Sequence, residues 1–86
     1  MDDSEIRHRI RVRIESGEIP AEHPLRVWAG AGTGQTCAIC DRAITAEAVE
    51  VETHGSDEKY RFYHGECYVL LVDERFRRME RREPKG

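Results

Sequence analysis

"CAICDRAIT", residues 37–45, is the stretch on which the fold of this chain turns. It opens with Cys37-x2-Cys40, and after 23 intervening residues comes His64-x2-Cys67. A structural zinc ion takes four tetrahedral ligands drawn from Cys and His, and each two-residue spacing lets a tight turn aim two donors at one ion. Cys37, Cys40, His64 and Cys67 are therefore the candidate ligands of one structural Zn2+, a Cys3His set that uses every cysteine present. The competing reading is a redox Cys-x2-Cys pair with an unrelated buried Cys67. A thioredoxin-type pair belongs near a βαβ pattern, whereas "CAICDRAIT" leads into a hairpin pattern. Two matched half-sites are also more specific than one.

The flanking sequence supports that arrangement. Residues 47–63 read as a β-hairpin: Val49 and Val51 alternate with Glu50 and Glu52, and Tyr60 and Phe62 alternate with Arg61 and Tyr63. Gly55, Ser56 and Asp57 between them supply turn chemistry. Residues 66–82 read as a helix, with Tyr68, Val72, Phe76 and Met79 at helical spacing, Leu71 beside them and Pro84 at the end. Cys67 then falls in the first helical turn, where the dipole favours a thiolate. His54 is weighed as a ligand and set aside. It falls in the expected turn, and the nine residues separating it from His64 exceed zinc-finger spacing. His8 and His23 read as surface residues.

The segment "CAICDRAIT…YHGECY" resembles the first zinc module of LIM domains, and also the treble-clef arrangement of knuckle, hairpin and ligand-bearing helix. The likeness covers residues 37–68, and by the family pattern Cys37, Cys40, His64 and Cys67 are the ligands. A LIM domain continues into a second zinc module. Here no further cysteine follows and a helix takes its place, which favours the treble clef. The wider pattern "RIRVRIESGEIP…WAGAGTGQTCAIC" is similar to short bacterial single-finger proteins, and that likeness implies fold and metal without a role.

Upstream, residues 3–16 admit two readings. "IRVRI" alternates like a strand, while Ile6, Ile10 and Ile14 share one helical face. Asp2 and Glu5 stand in an acidic variant of the capping box, and Gly17 and Pro20 suit a helix end. The helix is favoured, and it leaves Val12 off the apolar stripe. Its Ile face can pack on this domain or on a second copy, the former being favoured because so small a core needs cover. Residues 18–36 read as an irregular Gly-rich connector in which Leu25, Val27 and Trp28 anchor onto the core, Trp28 as a packing residue. Gly30-x-Gly32-x-Gly34 matches neither a dinucleotide fingerprint nor a P-loop. The favoured role is to shape entry to the knuckle, with phosphate binding the minor alternative and mobility left open.

The expected fold is α+β: a small zinc-stabilised treble-clef-like domain with N-terminal helix, irregular Gly-rich loop, zinc knuckle, β-hairpin and C-terminal helix. One domain spans residues 1–86, with the N-terminal helix and turn at 1–20 and the zinc module and its helix at 36–83. At 86 residues, 38% of them hydrophobic and 36% charged, the chain needs a staple beyond its core. The acidic N-terminus and the lack of a long apolar run lead us to expect a cytoplasmic protein without membrane contact.

Function reads less sharply. The expected role is a small, non-enzymatic protein-interaction or regulatory adaptor that binds another protein and takes no small-molecule substrate. The alternative is nucleic-acid binding through Arg75, Arg77, Arg78, Arg81, Arg82 and Lys85, since residues 73–86 carry six basic residues against four acidic ones. Glu74 can neutralise part of that charge by pairing with Arg78. The overall net charge of −3 also works against phosphate binding. Glu66 invites comparison with zinc deaminases, but the ligand order differs and all four ligand positions are filled.

Overall fold

The computed structural model describes residues 1–82, the side chains of residues 81 and 82 aside. Helix α1 spans Asp3–Ser16. Asp2 caps it by accepting the Glu5 N–H at 2.9 Å, and Gly17 ends it in the left-handed region at φ 85°. Ile6, Ile10 and Ile14 are its buried residues, while Val12 is 50% exposed. The helical period thus prevails over the strand-like alternation, and the stripe packs into this chain's own core.

Three strands follow: β1 Arg26–Ala31, β2 Val49–His54 and β3 Tyr60–His64. They form an antiparallel sheet in the order β1-β2-β3, with Trp28 opposite Glu52 and Glu52 opposite Phe62. The hairpin turn is drawn in by Asp57, which accepts the Lys59 N–H and a two-pronged contact from Arg61. Helix α2 continues directly from β3 over Gly65–Arg82. The buried core joins the α1 stripe, Ile19, Ile39, Ile44, Val51, Tyr63, Leu70 and Leu71 with the three cysteines.

Several details differ from the sequence-based expectation. The irregular connector contains a strand, β1, and Leu25, Val27 and Trp28 are 68%, 49% and 44% exposed instead of anchored. A strand covered on neither face needs no apolar alternation, so the usual signal was absent. His54 ends β2 and stacks on Tyr60 at 4.5 Å. The buried face of α2 runs through Cys67, Leu70, Leu71, Glu74 and Arg75, whereas Phe76 and Met79 are exposed. A glutamate and an arginine take the place of apolar residues because each finds partners there. Glu74 does not use Arg78. It accepts from Arg7 at 2.8 Å and from Arg11 at 3.0 and 3.1 Å. Pro84 lies outside the described residues.

Candidate metal centre

The four candidate ligands meet in one place. The donor atoms of Cys37, Cys40, His64 and Cys67 all lie within 4.8 Å of one another. The cysteines are buried and His64 is half-buried. Zinc–sulfur bonds of about 2.3 Å at tetrahedral angles put sulfurs roughly 3.8 Å apart, so the cluster fits one such ion. His64 Nδ1 stands 3.2 Å from Cys40 Sγ, which makes Nδ1 the inward donor.

Local backbone chemistry builds the first half of the site. Thr36 bridges Ala43, the Cys37 N–H donates to Arg42 O at 2.9 Å, and Asp41 takes a left-handed turn at φ 64°. The chain thereby folds back tightly enough to present both sulfurs. The N–H groups of Ile39 and His64 point at Cys37 Sγ at 3.5 and 3.4 Å, a setting that favours negative charge on that sulfur. The second half comes from the end of β3 and the first turn of α2. The Ala38 N–H donates to Phe62 O at 2.8 Å and ties the two halves together.

Helix α1 clamps the turn from outside. Arg13 spans both Asp41 oxygens at 3.1 and 2.7 Å and also donates to Ala38 O, and Arg9 reaches Asp41 at 3.1 Å. Arg13 accordingly holds the Asp41 carboxyl below the usual carboxylate range.

Without a metal the three thiols compete for charge. The Cys67 thiol donating to Cys37, together with the N–H groups around it, brings Cys37 down to about 4 despite burial. The same contact with Cys37, then burial, pushes Cys67 up. Burial also raises Cys40. The contact between them thus shifts Cys37 and Cys67 in opposite directions and works against the helix N-terminus at Cys67. A dication stabilises all three as thiolates.

The glycine loop turns inward. The Gly32 N–H donates to Ala48 O, the Gly34 N–H to Ile44 O, and Thr33 gives both its N–H and its hydroxyl to buried Glu50. These donors are spent on the chain itself and face a carboxylate, so no phosphate cradle forms. Gly34 sits at φ 84°, and a Cβ on Gly32 would fall 1.9 Å from Thr45 O. Both glycines shape the approach to the Cys37–Cys40 turn.

The arginine row of α2 is dispersed. Arg75 is 3% exposed and donates twice to Pro20 O. Arg77 pairs with Asp73 at 2.9 Å, and half-buried Arg78 lies 3.9 Å from Glu15. The side chains of Arg81 and Arg82, and all of Lys85, lie outside the described residues. His8 and His23 are exposed and apart from the cluster. Sequence reading missed Arg9, Arg13 and Asp41 as supports of the site; the i,i+4 spacing of the two arginines was the available signal.

No family model, curated protein or solved structure matches this sequence. The LIM and treble-clef likeness therefore rests on ligand spacing and element order. No helix among the described residues is long and apolar enough to cross a membrane.

Proposed function

We propose that this chain is a zinc-stabilised, treble-clef-like module without enzymatic activity that acts by binding another protein. The observation that carries the zinc reading is the convergence of Cys37, Cys40, His64 and Cys67 within 4.8 Å. Three sulfurs and one imidazole suit zinc, and four protein donors complete its tetrahedron without leaving a position for water or substrate. The ion then serves folding, and its binding free energy becomes folding free energy. Three reduced cysteines suit a reducing compartment, and the cytoplasm is the location we propose.

Protein is preferred to nucleic acid as the partner. Arg75 is buried and Arg77 is paired, which removes two cations from the basic row. The exposed apolar residues Leu25, Val27 and Trp28 instead gather at the sheet edge. Native mass spectrometry tests the metal reading, the expected result being one zinc per chain and none in Cys37→Ser. Binding to RNA or DNA that weakens steeply with salt would overturn the choice of partner.

A further inference from the structure

Strand β1 is the outer strand of the sheet, and its substantial contacts are with β2 alone. All six of its residues are exposed. The Gly32 N–H donates to Ala48 O in step with the β1–β2 register. Antiparallel ladders alternate, so Trp28 and Gly30 turn their backbone groups toward β2. Val27, Ala29 and Ala31 turn theirs outward. Proteins guard such edges with Lys, Pro, bulges or a covering element. The strand "RVWAGA" carries no Lys or Pro, and its one charge is Arg26 at the start.

Gly30 is the telling residue. Gly32 and Gly34 are required by the chain's own fold. Gly30 has no positive φ, and a Cβ there would meet nothing within 4 Å. A glycine inside a strand weakens it and often marks a place where another backbone approaches.

We propose that β1 pairs antiparallel with β1 of a second copy, about a two-fold axis at Ala29, making one continuous sheet. In that register Trp28 lies opposite Gly30 of the second copy, and the reverse contact repeats it. The indole covers the glycine and restores the packing that the missing side chain gives up. Val27 lies opposite Ala31, and about six backbone hydrogen bonds form.

Neighbouring registers lose this fit. Centring on Trp28 sets two indoles against each other and leaves Gly30 opposite Arg26. Shifting the other way sets Trp28 against Gly32, whose open side is filled by the Thr45 backbone. The chosen register sets no like charges opposite each other, since Arg26 falls opposite Gly32 of the second copy. The two Arg26 residues stand about 20 Å apart. The pairing rests on the protein-binding reading above and names the partner as a second copy.

Sedimentation equilibrium of the full zinc-loaded chain, from micromolar to millimolar concentration, tests it. The expected mass is twice the 10.0 kDa of one chain. Ala29→Pro removes an outward N–H, spares the pairing with β2 and is expected to leave a single-chain mass with unchanged zinc content. Single cysteines read the register. Ala29→Cys places its Cα about 5.5 Å from its copy, within disulfide reach, and cross-links on mild oxidation. Val27→Cys stands about 13 Å from its copy and does not. A zinc-loaded monomer at every concentration, or a dimer that survives Ala29→Pro, overturns the pairing alone. Cross-linking of Val27→Cys in place of Ala29→Cys overturns the register. A chain that binds no zinc overturns the metal reading instead, so the two failures are told apart.

Discussion

Arg11 on α1 grips Glu74 on α2 with a two-pronged fork, Nε to Oε1 at 3.0 Å and Nη2 to Oε2 at 3.1 Å. Arg7, one turn earlier, reaches the same carboxylate at 2.8 Å. Glu74 is 1% exposed, so its charge is almost fully withdrawn from water and depends on these partners. Burial alone would raise its pKa, but the hydrogen bonds from Arg11 and Arg7 hold it below the ordinary range. Breaking a buried pair costs about 3–5 kcal/mol. Both arginines keep some access to water, so Glu74→Gln is expected to destabilise the fold by about 2–3 kcal/mol. Urea unfolding measures it, with exposed Glu80→Gln as the near-neutral control.

Metal removal should act on the whole core. The three candidate cysteine ligands belong to the same buried cluster as the α1 stripe, Tyr63 and Leu71. A structural zinc contributes on the order of 10 kcal/mol to small modules, more than a core this size supplies by itself. Chelation at neutral pH is expected to abolish the cooperative melt of sheet and helices together. Cys67→Ser should do the same and lose zinc. A metal-free chain that retains its cooperative transition in the circular dichroism melt would sink the staple argument.

Acid should unfold the chain through the proposed metal ligands before its carboxylates. Arg13 lowers Asp41, Arg7 and Arg77 lower Asp73, and Arg61 brings Asp57 to about 2. A depressed folded pKa contributes stability that is complete above the unfolded value, about 4. That stability is lost progressively as pH falls from there through the folded value. These carboxylates are therefore silent between pH 7 and about 4. Thiolate and imidazole ligands compete with protons for the ion at higher pH. Unfolding on acidification should coincide with zinc release, followed with a colorimetric zinc indicator. Asp57→Asn should leave its midpoint unchanged.

What could be read from the sequence follows the physics of each signal. The four donors, the hairpin and both helices were legible because ligand spacing, turn chemistry and the Ile6, Ile10, Ile14 stripe are local patterns. The strand-like alternation of "IRVRI" proved to be two arginine rows flanking that stripe. Arg7 and Arg11 face α2 on one side, and Arg9 and Arg13 face Asp41 on the other. Which acid each arginine meets depends on residues 28 to 67 positions away, which no local pattern records. β1 was missed for the complementary reason. Its evidence is a backbone ladder to β2, and its side chains, exposed on both faces, carry no alternation.

The glycines of "WAGAGTG" separate into different physical roles, and substitution should separate them again. Gly32 passes so close to the knuckle that an added Cβ would lie 1.9 Å from Thr45 O and 2.6 Å from Ile44 O. Both are backbone atoms, anchored because the Ile44 N–H donates to Gln35 O and the Gly34 N–H to Ile44 O. Relief therefore requires the loop to move away from the Cys37–Cys40 turn. Gly32→Ala is expected to cost about 3 kcal/mol, at the upper end of ordinary overpacking, and to weaken zinc retention. Gly34 has open space, but its φ of 84° strains any L side chain. Gly34→Ala should cost about 1–2 kcal/mol and leave zinc in place. Gly30 has neither constraint, so Gly30→Ala should not destabilise the single chain. Urea unfolding of the three variants, each with its zinc content measured, checks the order. Equal losses at all three positions would mean that the loop acts only as flexible chain.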